Sequence, residues 1–408
     1  MRAAFGYGLI ALAVVAGCRH AEPPPVLSPR AEPLVLPNSD RALAPMDATA
    51  APAAPPIHTP PPPPANYYHL TAEECRRQAC QNSTVANLLD SAVTPPTGLC
   101  ADGGAKAMVA TVRAVTARHL ADEIRNRTAG GALTAYYKLL ELELTSDVIQ
   151  STIAEVDDIL ANNAKLAARG LKLPAEDHEL QKQRIELLAT QARLRSGIQQ
   201  LNGELKSVLA IDPGTAGLLL PADQVRVVPD PLDVELAVQL GLRLRPELNL
   251  LRTLANVADP RAVGAVRRAL VGLAPPLAAV LSAASETLPA LTPWVRAAAK
   301  ADALALRQQV LSLLADRERV AVKEVRGAAD EWTTARQLSG LARSRFELAQ
   351  ERVTEYEKRA KAGQAVEAER RRARLDALKA EGELVSEIAK WKTADVKARE
   401  AIGLLGRE

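Results

Sequence analysis

The four cysteines and five histidines have the widest chemical range of any side chains in this 408-residue chain. His20, His58, His69, His119 and His178 are scattered, and no His-Glu metal pair, Gly-rich phosphate loop or nucleophile elbow accompanies them. Cys75, Cys80 and Cys100 offer pairing chemistry instead. Cys75 and Cys80 are five apart on a predicted helix, so they face different ways and are badly placed to bridge each other. If that helix ends near Ala92, the extended residues from there to Cys100 span roughly 23 Å. Back along the helix, Cys80 lies about 18 Å from Ala92 and Cys75 about 26 Å. Reach therefore favours a Cys80–Cys100 disulfide in an oxidising compartment. Zinc held with His69 or His119 is the alternative, and no metal-type spacing supports it. Carboxylates interleave with Lys and Arg, as between Glu367 and Arg374, the pattern of a solvated helix face. A formal net charge of +3 makes no case for nucleic acid. No set of residues predicts an enzyme, and no catalytic residue, metal or cofactor is assigned.

Cys18 has a different context. Arg2 is a positive leader, Leu9 to Val15 a short apolar core, and Val15-Ala16-Gly17-Cys18 resembles the lipobox of bacterial lipoproteins, in which the cysteine is lipidated after cleavage. The other possibility is an ordinary secretory signal with a coincidental cysteine, and either way the mature chain is exported. Residues 19–66 carry Pro23-Pro24-Pro25, Pro55-Pro56 and Pro60 to Pro64 among Ala and small polar residues. Such a segment has too little apolar bulk to pack, and reads as a disordered tether more than as a ligand for a proline-reading domain.

From Asn66 onward the sequence predicts an all-α chain of long antiparallel coiled-coil hairpins. Leu142, Ile149 and Val156 recur every seven residues, with Ile153 and Leu160 as d partners. The pattern stops around Gly170, with Pro174 suited to the next helix start, and resumes through Leu180, Leu187, Leu194, Leu201 and Val208, with Ile198 and Leu205. A second hairpin turns at Gly363, with a weaker seam of Leu341 and Leu348 on one arm and Leu378, Val385 and Ile388 on the other. The returning arms end on similar phrases, Leu205 to Ala210 and Ala401 to Gly406. The tip-to-end spacings of 40 and 43 residues imply a three-residue length difference.

Internal repetition is visible as well. Placing Leu70 over Leu232 matches Glu73 to Glu235, Asn87 to Asn249, Leu88 to Leu250 and Leu89 to Leu251, each copy preceding its hairpin by a similar distance. The predicted organisation is a signal over 1–18, the tether over 19–66, a first repeat over 67–212, a connection over 213–231 and a second repeat over 232–408. The connection holds the one convincing extended run, Val225 to Val228.

Leu70-Thr71-Ala72-Glu73-Glu74 with Ala79 and Asn82 resembles the opening motif of the TolC-type outer-membrane efflux proteins. Leu232-Asp233 with Ala237 and Arg245-Pro246-Glu247-Leu248 is similar to that motif in the family's second repeat. The resemblance implies a homotrimer enclosing a helical tunnel, with a periplasmic adaptor and an inner-membrane pump as partners. It makes the tips, Arg169, Gly170, Leu171, Arg359, Gly363 and Gln364, the adaptor contacts. The basic tips would suit an acidic partner, although basic residues also complement a helix C-terminus. That family places a pair of membrane-spanning strands in each repeat. Here the matching places hold a Gly130-Gly131 turn between helices and the Ala-rich stretch Ala269 to Leu291, broken at Pro275-Pro276. Spanning strands need about 9–11 alternating residues with aromatic girdles, yet beyond the signal Phe346 is the only phenylalanine and the tryptophans are isolated. The barrel is therefore expected to be absent or vestigial. Cys18 would then anchor a periplasmic body to the outer membrane, either as an efflux or export conduit or as a scaffold lipoprotein that no longer conducts.

If lipid is the sole anchor, Cys18→Ser moves the chain from membrane to soluble fractions. Retention of the variant in membranes after washing with high salt indicates an embedded barrel.

Overall fold

The structure, a computed structural model, describes residues 67–91, 104–169, 176–212, 217–223, 232–258, 260, 262–273, 292–364 and 367–407. Cys18, the tether, Cys100, Gly170, Leu171, the Val225–Val228 run and Pro275-Pro276 lie outside them. The described chain is all-α apart from two short strands. Contacts divide it into two compact units, a smaller one within Ala92–Ala117 and Thr253–Val310 and a larger one within Val35–Ser91, Arg118–Arg252 and Leu311–Glu408.

The strands are β1 (Tyr67–Leu70) and β2 (Leu218–Pro221), paired in parallel with Leu70 opposite Pro221. Neither lies at the expected Val225–Val228 run. Leu70 and Leu219 sink fully into the core, and Ala222 N–H extends the pairing by donating to Leu70 O at 2.9 Å. Four residues apiece are too few for the alternation that marks a strand in sequence.

Each repeat opens with the same device. Thr71 caps α1 (Ala72–Gln81) by accepting from Glu74 N–H, and Asp233 caps α5 (Val234–Leu244) by accepting from Leu236 N–H. A second short helix follows in each, α2 (Thr84–Ser91) and α6 (Pro246–Asn256). Asn87 Nδ2 donates to Gln81 O, and its counterpart Asn249 Nδ2 donates to Arg243 O. Long arms come next: α3 (Gly104–Ala168) and α4 (Glu176–Val208), then, after α7 (Val263–Leu273), α8 (Thr292–Lys361) and α9 (Glu367–Ile402).

The returning arms end alike, though not at the residues the sequence pairs. Ala210 (φ 54°) and Gly403 (φ 84°) are left-handed C-caps, each followed by a residue whose N–H reaches five back: Ile211 to Lys206 O and Leu404 to Arg399 O. Ala210 lies 40 residues past 170, and Gly403 lies 40 past Gly363, so the expected three-residue difference disappears. The distances ahead of the hairpins are not similar, however. The offset between copies is 162 at the N-caps and 193 at the C-caps, so the second copy has 31 extra residues, placed between α6 and α8 where α7 lies. The expected Gly130-Gly131 turn is also absent, because α3 runs unbroken through it. Gly130 marks a close approach: a Cβ there would collide with the Glu400 carboxylate on α9.

Both hairpins are antiparallel and close. Asn163 bonds Asp177, Asp157 pairs with Arg184, and a Cβ on Gly197 would meet Leu142, all nearly equidistant from residue 170. In the second hairpin Glu357–Arg374, Arg345–Glu383 and Glu331–Lys397 are centred near residue 364 in the same way. Of the first hairpin's predicted seam, Val156, Ile198 and Leu205 are buried, Leu142, Leu187, Leu194 and Leu201 are half-buried, and Val208 is exposed. The second seam differs from expectation. Val385 and Ile388 are buried, but Leu341 and Leu348 are 59% and 61% exposed. The row that faces α9 is Val325, Trp332, Ser339 and Phe346, with Ala335, Ala342 and Ala349 between. Alanines share that row with Trp332 and Phe346, while Leu338, Leu341 and Leu348 fall on the outer face. Trp332 and Trp391, isolated in sequence, pack edge to face at 6.2 Å, with Trp332 Nε1 donating to Asp395.

Helix α9 is buried on two sides. Leu384, Ile388 and Trp391 join the core of the second hairpin, while Val396 joins that of the first, beside Tyr136, Leu139 and Leu205. Trp391, 2% exposed, should cost about 3–5 kcal/mol on truncation to Ala, whereas Leu341→Ala should stay within about 0.5 kcal/mol. Denaturant unfolding of the detergent-free monomer measures both. Equal losses would return Leu341 to the seam.

Candidate functional site

Two places concentrate function-bearing groups, the hairpin tips and a charged cleft beside α9. At the described tip Gly363 adopts φ 80° with open space around it, and Gln364 N–H donates back to Arg359 O at 3.2 Å. Arg359 pairs with Glu355 and stands over the Tyr356 ring at 5.6 Å. Across the turn, Glu367 accepts from Arg370 and Arg371, and those bonds hold its carboxyl below the ordinary range. Arg374 does the same for Glu357 on the opposite arm. Arg371 also donates to Asp158 O at 3.3 Å, tying this hairpin to α3 of the first. At the first tip only Arg169 is described; it is exposed, its N–H donating to Leu166 O.

The cleft, about 480 Å³, is lined by Glu123 and Arg127 from α3, Arg245 and Glu247 at the α5–α6 corner, Glu324 from α8, and Lys397 and Glu400 from α9. Pro246 opens α6, where its missing N–H costs nothing. The corner so formed aims Arg245 between Glu247 (2.6 Å) and Glu324 (2.5 Å). Arg127 pairs with Glu123 at 2.6 Å. Burial, then the Glu247 carboxylate, holds Glu123 above the ordinary carboxylate range. Burial does the same to Glu400, aided by Glu123 and opposed by Arg127. The corner is closed by the C-terminal turn. Gly403 packs 3.2 Å from Arg245 Cα at the place its Cβ would occupy, and Arg407 donates to Leu244 O. Arg76 of α1 donates to Leu405 O and Arg407 O, and Asn126 both donates to Glu400 O and accepts from Leu405 N–H. These contacts bind the two repeats together. Arg245-Pro246-Glu247 stands out in sequence, but nothing there shows that Glu324, Glu123 and Glu400 meet it.

The cysteines take no part. Cys75 is a buried thiol pushed up to about 12 by burial, and it does not bridge Cys80. Cys80 lies with Sγ 3.4 Å from Leu405 O, and its expected partner Cys100 is outside the described residues. Burial lowers the pKa of His119 on α3, and His69 is exposed on β1. Among the described residues no group of three His, Cys, Asp or Glu side chains could hold a metal ion.

The chain superposes on known structures over most of its length. The chain has the fold of the TolC-type outer-membrane channels. It superposes on the transmembrane channel CusC with a TM-score of 0.57 at 11% identity, covering 86% of this chain and 97% of that one. The outer-membrane channel OprN gives 0.56 at 12% identity, covering 81% and 89%. The open state of the Neisseria gonorrhoeae outer-membrane channel MtrE gives 0.55 at 14%, covering 81% and 88%. No protein-family profile and no curated protein matches the sequence.

Because the folded state raises the Glu400 pKa, folding gains stability as pH falls through that raised value, and the ionised carboxylate opposes folding above it. Glu400→Gln fixes the neutral form. It should raise the thermal midpoint at mildly alkaline pH and change it little below the unfolded value of 4.5. An equal shift at both pH values would assign the effect to packing alone.

Proposed function

We propose that this protein is a passive conduit subunit for efflux or export at the outer membrane. It is held there by lipid on Cys18, with its body in the periplasm, and is assembled as a homotrimer. The tips, Arg169 to Leu171 and Arg359 to Gln364, engage a periplasmic adaptor coupled to an inner-membrane pump. The observation that carries this reading is the outer face of α8 in a chain with the fold of outer-membrane channels. Leu338, Leu341 and Leu348 form one exposed row that the chain's own seam does not use. A neighbouring copy would cover that row, and closing the helices around an axis leaves a tunnel. The mechanism needs no chemistry: contacts near the tips keep the conduit closed, and a partner at the tips opens it. A Cys80–Cys100 bridge would tether the segment between α2 and α3 to α1.

A non-conducting scaffold lipoprotein is the second reading. It is favoured by the described sheet, whose strands have four residues each, against about 9–11 for a spanning strand. No described helix is long and apolar enough to cross a membrane.

Mass measurement of the detergent-extracted protein, followed by single-channel recording, separates the two. A trimer with discrete conductance supports the conduit, and a trimer that never conducts supports the scaffold. Gly363→Val, strained at φ 80° by about 1 kcal/mol or more, should weaken adaptor cross-linking while helix content holds. Unchanged cross-linking would make that tip an ordinary turn.

A further inference from the structure

Charge is divided unevenly between the two units. Segments 92–117 and 253–310 carry eight Lys and Arg against four Asp and Glu, a net of +4, which exceeds the +3 of the whole chain. In the larger unit, cations such as Arg125, Arg252 and Arg374 stand against carboxylates. No ion pair among the described residues falls in the smaller unit, where Arg113, Arg268, Lys300 and Arg307 are exposed. Helix α7 buries Ala265, Val266 and Leu270 and turns Arg268 outward. On α8, Ala303, Leu306 and Val310 are buried, while Lys300, Leu304 and Arg307 lie at i, i+4 and i+7 on another face, with Leu304 57% exposed.

We propose that this unit docks on an anionic lipid surface, with Lys300 and Arg307 meeting headgroup phosphates and Leu304 entering the acyl boundary between them. Unpaired cations alone would suit any acidic partner. A large exposed apolar side chain flanked on its own face by cations is the arrangement of helices that lie in a lipid interface. The methylene stems of Lys and Arg let the leucine sink while the charges stay at the phosphates. The unit rests on the membrane without crossing it, and adds a second attachment to any acyl chain on Cys18.

The test uses the full chain with Cys18→Ser, so that no acyl chain contributes, in flotation with vesicles of phosphatidylcholine alone or mixed equally with phosphatidylglycerol. Flotation is expected on the mixed vesicles only, and should fall steeply with added salt. Each cation removed should weaken it roughly fivefold, so K300Q combined with R307Q lowers affinity by about thirtyfold at unchanged helix content. Leu304→Ser should weaken binding at low salt, which a purely electrostatic contact would not show. Equal flotation on neutral vesicles, or an unaffected double variant, overturns the proposal. Binding to soluble polyglutamate without binding to vesicles overturns it in favour of an acidic protein partner. Vesicle binding and conductance are separate readouts: a chain that conducts but does not float keeps the conduit function and loses this one.

Discussion

Helix α9 buries two faces at once, and the larger unit is arranged around that constraint. Its Leu384, Ile388 and Trp391 pack on the second hairpin, and Val396 on the first. A helix covered on both sides must be narrow, which is why Ala373, Ala377, Ala389, Ala394 and Ala398 are among its buried residues. The same demand removes the Cβ from Gly130 on α3, where the Glu400 carboxylate sits. Ser386 donating to Glu141 and Arg371 donating to Asp158 O then hold the register between hairpins. Polar contacts of this kind add little energy, but they choose one alignment among several that apolar packing would tolerate.

Close approach inside the second hairpin has a consequence on its outside. Once Ala335, Ala342 and Ala349 take the seam, the larger Leu338, Leu341 and Leu348 have nowhere to go but outward. An apolar row left uncovered by its own chain is costly in water, so the packing that stabilises the seam leaves the face on which the proposed assembly rests. The junction cleft works differently. Its cations and carboxylates come from four helices and the α5–α6 corner, and burial presses the Glu123 and Glu400 carboxyls toward the neutral form. Fixed there by Gly403 against Arg245, the end of the second repeat closes on the start of both.

Duplication supplies the frame, and insertion supplies the difference. The caps at Thr71 and Asp233, and at Ala210 and Gly403, repeat hydrogen bond for hydrogen bond. The 31 additional residues of the second copy lie largely between α6 and α8, where α7 carries the exposed Arg268. The chain thus separates a charge-matched body from a cationic unit.

Local chemistry was enough to read the hairpins and the internal repeat, because heptads and a turn glycine are written within a few residues of one another. Gly363 shows this, its φ of 80° following from its place at the end of a basic last turn. Other features required the fold. Leu341 and Leu348 look like seam residues by size, yet backbone proximity, which no single helix encodes, hands the seam to alanine. Gly130-Gly131 looks like a turn, but it lies inside α3, and a Cβ on Gly130 would meet the carboxylate end of Glu400, 270 residues later. β1 and β2 are too short to show a period and exist only because Leu70 and Leu219 share one core. Trp332 and Trp391 are 59 residues apart in sequence and in contact in space. Sequence fixes what a residue can do within its own turn of helix, and only tertiary packing decides which distant partner it meets.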